Sequence, residues 1–332
     1  MAILKKIISI FLRVGVSIIL LVILFKQVDE KSLLEILKNA DIRFLFLACF
    51  TYFLGYVFCF FRWHMLLKAI KIHLPFKKII TSFCGGVFFS LFLPSTIGGD
   101  VVRSMDLAAE TKRPREVVAT VFLDRLSGYI GLVILALSSL LFGWKFVIED
   151  KSVLFSMLII FGLLIAILSV LFNRFLYSKI NMLLSSPGAG RIKEAIRNLH
   201  HEIHVFRQHK KVILKNIILS VFIQTITPIS FYLVALSLGI KINMLYFFIF
   251  LPLIGAITLL PISIGGLGLR DATTVFFFAK AGVSKDFAFT MSLLNFSFIV
   301  IFASIGGLIY VLTVHHRRIQ SNKSSPLRPA QQ

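Results

Sequence analysis

The sequence predicts an all-α integral membrane protein, and three observations predict it. The 332 residues are 58% hydrophobic with a mean hydropathy of +0.91 and include 35 Phe, a composition that one buried soluble core cannot absorb. Eight apolar segments recur along the chain, six of them close to the ~20 residues a helix needs to cross a hydrocarbon layer. The net charge of +21 lies in short stretches beside these segments, as Lys and Arg do when they orient membrane helices. No nucleic-acid partner is expected.

The segments predicted to span are 7–25, 42–61, 117–143, 153–172, 216–238 and 287–312. The first follows Lys5 and Lys6 as a signal peptide would, but it is long, carries Arg13 and lacks a small-x-small cleavage site, so it reads as a retained helix. Leu33, Leu34 and Leu37 suggest a short interfacial helix outside. Two further segments, 79–93 and 245–260, are short, and each is followed by a weakly apolar piece, 104–111 and 271–281. Between the halves, Ile192, Ile196, Leu199, Ile203 and Phe206 share one helical stripe bordered by Arg, Lys and His. This predicts a basic amphipathic helix over 191–211, lying on anionic headgroups of the cytoplasmic leaflet. Residues 1–318 read as a single polytopic membrane domain, and the polar tail 319–332 as disordered.

Lys and Arg decide whether the two short segments span or turn back. With both re-entrant, the cytoplasmic stretches 1–6, 62–78, 103–116, 173–215 and 313–332 hold 24 of these residues against 9 outside. If both span, the basic stretch 173–215 moves outside, against the positive-inside rule. The expectation is therefore six spans and two re-entrant hairpins, with both termini cytoplasmic.

The short segments end in a repeated motif. Leu93-Pro94-Ser95-Thr96-Ile97-Gly98-Gly99-Asp100-Val101-Val102-Arg103 and Leu260-Pro261-Ile262-Ser263-Ile264-Gly265-Gly266-Leu267-Gly268-Leu269-Arg270 align without a gap at an offset of 167. They share Leu, Pro, Ile, both Gly and the Arg. Pro94 and Pro261 are expected to stop the preceding helix, and the glycine pairs to supply positive φ and close backbone approach to a ligand. Broken helices at matching positions of two halves, here about 42–143 and 216–312, point to an inverted repeat with a binding site near the membrane midplane.

Few residues here could carry chemistry. Arg103 and Arg270 beside glycine turns suit a phosphate, through free N–H groups and a guanidinium fork. Asp100 stands where it could cap the following helix or attract a cation. Asp271 could cap its helix or pair with a neighbouring one. Asp124 and Arg125 sit inside an apolar segment, where an ionisable group costs roughly 2.5–3.5 kcal/mol on insertion scales. Adjacent helix positions do not face each other, so these two are not expected to pair together. Asp124 shares a face with Ser127, Gly128 and Gly131, which should turn into the bundle, either satisfied by another helix or acting on a ligand. No cofactor or metal is expected: Cys49, Cys59 and Cys84 lack ligand spacing, and the second His of a metalloprotease helix is replaced by Val205.

Phe88-Phe89 through Arg103, then Leu123-Asp124-Arg125-Leu126-Ser127-Gly128, then Pro261 through Asp271, resemble the flippase-like family typified by the transmembrane domain of lysylphosphatidylglycerol synthase. Two departures are visible, Ser90 where Asn is common and Asp271 where Glu is common. The resemblance implies a bacterial cell-membrane protein that moves lipids between leaflets, with Arg103, Asp124, Arg125 and Arg270 at motif positions. Its partners would be lipids with phosphate headgroups, and a lipid-modifying enzyme is a further candidate. The aminoacyl-transferring domain of the two-domain synthases is absent from this sequence, so a transporter rather than an enzyme is expected. Two other classes stay open: an intramembrane transferase acting on a polyprenyl phosphate with Asp100 or Asp124 as base, and a scaffold that transports nothing.

Overall fold

The computed structural model describes residues 30–92, 97–142, 209–258 and 266–323, together with Ser263 and isolated positions at 15, 18–19, 22–24, 155, 158 and 162. Among these residues every regular element is a helix. In chain order they are α1 (Glu30–Lys38), α2 (Ile42–Ala69), α3 (Phe76–Phe92), α4 (Ile97–Thr111), α5 (Pro114–Phe142), α6 (Lys210–Ser237), α7 (Leu245–Thr258), α8 (Leu269–Lys280) and α9 (Lys285–Lys323). Four of them, α2, α5, α6 and α9, are long and apolar enough to cross a membrane. They correspond to the predicted segments at 42–61, 117–143, 216–238 and 287–312. The segments 7–25 and 153–172 lie largely outside the described residues, as does the basic helix predicted over 191–211, whose last residues Lys210 and Lys211 open α6.

Local chemistry sets the helix ends. Asp41 caps α2 by accepting the Arg43 N–H at 2.8 Å. The described part of α3 ends at Phe92 and that of α7 at Thr258. Lys112, at φ 53, breaks the chain out of α4, and Pro114 takes the first position of α5. Two expectations change. Helix α2 runs eight residues past its predicted end, since Trp63, Leu66 and Leu67 continue the apolar face into the bundle. Helix α9 continues to Lys323, with no Gly or Pro between Leu308 and Pro326 to stop it, so 319–323 extend a helix where disorder was predicted.

Helices α2 and α6 form the spine. Asp41 N–H donates to Ser237 O at 2.8 Å, Ser230 Oγ to Ala48 O at 3.0 Å and Asn216 Nδ2 to Arg62 O at 3.0 Å. Each step along one helix retreats equally along the other, so the two run antiparallel. Helices α3 and α4 form an antiparallel hairpin: Ser82 Oγ donates to Arg103 O at 3.1 Å, and Lys78 meets Glu110 at 2.5 Å at the open end. Arg113 Nη1 donates to Ile70 O at 3.3 Å, so this hairpin opens and closes at the C-terminal end of α2. The hairpin of α7 and α8 opens at the other end of the bundle, because Ser237 lies beside Asp41 and Ser32 Oγ reaches Asp286 at 3.4 Å.

Helices from the two halves of the sequence interleave: α3 packs on α9, and α7 packs on α5. Lipid tails are as apolar as Leu, so close backbone approach rather than solvent exclusion draws such helices together. The crossings show it: a Cβ on Gly307 would stand 2.3 Å from the Phe88 ring, and one on Gly131 would stand 2.8 Å from the Ser220 backbone. Two apolar cores result. One surrounds Trp63, Leu66, Leu67 and Ile79, and the other Phe247, Phe277, Phe278 and Phe289.

Candidate functional site

Five charged side chains from three helices alternate in sign. Arg62 on α2 donates from Nε to Asp124 on α5 at 2.8 Å and from Nη1 to Ser220 on α6 at 3.1 Å. Arg103 on α4 donates from Nη2 to the other Asp124 oxygen at 3.0 Å and meets Asp100 at 3.0 Å. Arg125 on α5 donates from Nε to Asp100 at 2.6 Å. Arg62, Asp100, Arg103 and Asp124 are each no more than 7% exposed. Burying an ion costs several kcal/mol even after relaxation, so only such alternation makes the cluster tolerable. The Arg103 guanidinium also lies 4.7 Å over the Trp63 ring, which Thr120 fixes through a 3.2 Å hydrogen bond from Nε1.

The five charges line one cavity of about 380 Å³. Its other walls are mostly apolar, contributed by Tyr52, Tyr56, Phe83, Val87, Leu91 and Phe296 among others. Three arginines against two aspartates leave one positive charge at the cavity. The side chain of Arg125 is 34% exposed, so part of this positive charge stays accessible. An anion is the ligand this arrangement fits.

The sequence-predicted residues divide. Asp100, Asp124, Arg103 and Arg125 come together, and Asp124 and Arg125 face different partners, as adjacent helix positions must. Arg62 was missed, because the apolar segment was ended at Phe61; the signal was present in Phe60, Phe61, Trp63, Leu66 and Leu67, which flank it without a break. Gly98 and Gly99 correct an expectation. They lie inside α4, and neither is among the positive-φ residues. Gly99 instead lets the hairpin close, since a Cβ there would stand 2.0 Å from Gly86 O and from Ser90 Oγ.

The second copy of the motif builds something else. Gly266 has φ +79 and Gly268 φ +77, the conformation expected of the first pair, while Gly265 falls outside the described residues. Asp271 accepts the Gly268 N–H at 3.0 Å at the start of α8, and its other oxygen accepts from Ser292 Oγ at 2.5 Å and Arg270 Nη2 at 3.1 Å. Arg270 is thus held by the adjacent residue, lies outside the cavity wall, and stacks 4.8 Å over Phe296, which does line it. The offset of 167 carries Asp124 to Met291 and Arg125 to Ser292, so the second half has no equivalent of the charged pair. Among the described residues no three His, Cys, Asp or Glu gather as a metal site would require.

Residues 10–307 match the family described as the lysylphosphatidylglycerol synthase TM region. A UPF0104 membrane protein of Pyrococcus horikoshii is 22% identical over 302 residues, covering 85% of this chain and 90% of its own. No solved structure matches the chain.

Proposed function

The chain belongs to the family of the lysylphosphatidylglycerol synthase TM region, and from that premise we propose that it moves an anionic lipid or lipid-linked precursor between membrane leaflets. One observation carries the reading: a cavity of about 380 Å³, apolar over most of its wall, that holds three arginines against two aspartates. A phosphate would balance the one positive charge that the row leaves over. The two hairpins opening at opposite ends of the bundle support an inverted repeat of re-entrant hairpins around this site. Taking Arg62 and Arg103 out of the loop charges leaves 22 Lys and Arg on the cytoplasmic side against 9, so the same orientation stands, with both termini inside.

A transferase is less well supported. A general base needs a carboxylate free to take a proton, yet both Asp124 oxygens and both Asp100 oxygens accept from arginines. We therefore assign no chemical step. Purified protein in vesicles with fluorescent phosphatidylglycerol confined to one leaflet tests the reading: protein-dependent exchange of intact lipid is expected. Exchange no faster than in empty vesicles would refute it, and headgroup turnover with a sugar donor would favour the transferase.

A further inference from the structure

Beside the charged cavity lies a second, apolar one of about 120 Å³. Tyr56, Phe83 and Val87 line both, so the two share a wall. The smaller space continues between α2 and α9 to Phe53, Ile305 and Ile309, which are 42%, 49% and 39% exposed on the outer face of the bundle. One ring closes this seam: Phe302 of α9 stacks at 6.4 Å on Tyr52, 5.5 Å from Phe53 and 5.7 Å from Tyr56 of α2. The path from the arginines to the membrane face therefore changes from charged to aromatic to aliphatic within one seam.

We propose that this apolar annex is the acyl-chain subsite of the charged cavity, holding the methylenes nearest the glycerol of a lipid whose phosphate lies at Arg103 and Arg125. The inference rests on the translocation reading and names its substrate class: a phosphate ester with a chain that leaves sideways, not a soluble phosphate. Charge supports the head end, since the large cavity has one positive charge in excess. Size supports the tail end: the annex has less than a third of the volume of the charged cavity, room for only a short run of chain. The remainder would pass the Phe302 seam into the bilayer. A chain moving from lipid into an apolar slot gains no hydrophobic free energy, so the annex selects which molecules can present their phosphate and adds little affinity.

Photocrosslinking tests this without relying on transport. Phosphatidylglycerol with a diazirine in the methylenes next to the glycerol ester, and a second probe with it at the chain end, are added to the full-length protein in vesicles. The near-ester probe is expected to label peptides carrying Val87 and Phe302, and the chain-end probe is not. Ile305→Trp fills the annex from a half-exposed position that the fold tolerates, and should remove most of that labelling; Ile309→Trp, one turn further along, is the second variant should the first fail to fold. Labelling of Val87 and Phe302 that is equal for both probes, or unchanged in folded Trp variants, overturns the subsite. Failure of the parent reading looks different: wild-type protein would be labelled at Val87 and yet exchange no lipid.

Discussion

Asp124 accepts the Nε–H of Arg62 at 2.8 Å, a bond that ties α5 to α2 across 62 positions of chain. The other carboxylate oxygen holds Arg103 of α4. One side chain thus fastens three helices around the cavity, and its removal leaves two buried guanidinium groups facing each other.

Asp124→Asn should therefore destabilise the protein by about 3–5 kcal/mol, the cost of breaking a buried pair from one side. Arg62→Gln leaves Asp124 its bond to Arg103 and should cost less, on the order of 1.5–3 kcal/mol for one charged hydrogen bond. Thermal unfolding in detergent ranks the two. The reverse order would mean that Arg62 acts mainly through Ser220.

Gly99 and Gly266 occupy equivalent positions for different reasons, and substitution separates them. Gly99→Ala puts a methyl into Gly86 O and Ser90 Oγ and should cost at least the ~1–3 kcal/mol of overpacking. At Gly266 the nearest atom to a new Cβ is 3.6 Å away, so only the positive φ resists. Gly266→Asn should then be better tolerated than Gly266→Val, because Asn visits that region and a β-branched residue does not. Equal losses for Asn and Val at 266 would contradict the backbone explanation.

Arg103→Lys should keep part of the lipid exchange and Arg103→Gln should lose roughly 10- to 150-fold, the equivalent of ~1.5–3 kcal/mol for one charged contact to phosphate. Arg270 is already occupied by Asp271 and Ser292 outside the cavity wall. Arg270→Gln should lower stability more than exchange. Equal losses of exchange for folded Gln variants at 103 and 270 would make Arg270 a phosphate contact beside Arg103, as the repeated motif suggests.

Single cysteines in a Cys-free background read the orientation. One at Thr111, at the end of the first hairpin, should be labelled only from the cytoplasmic side, and one at Asn243, before the second, only from outside. Labelling of both from one side would exclude opposed hairpins.

Much of the fold was legible because membrane helices leave long apolar runs that need no tertiary knowledge to find, and α2, α5, α6 and α9 each lie over such a run. Asp124 and Arg125 stood out because charge inside an apolar run demands a partner. Arg62 did not, because it lies at the edge of its run, where a charge reads equally well as a loop residue.

By itself the sequence determined that this chain crosses a membrane, that two halves repeat a proline–glycine–arginine motif, and that charge lies within the first half's apolar segments. Those properties reside in composition and in spacing along one chain. Only the tertiary structure decided that Asp100, Arg103, Asp124, Arg125 and Arg62 form one alternating cluster, and that Arg270 does not join it. It also decided that Gly99 serves a helix crossing while Gly266 serves a turn. The physical reason is the same in each case: a charge takes the nearest opposite charge in space, and a glycine is required by whichever atoms approach it. Neither neighbour is fixed until the helices have packed.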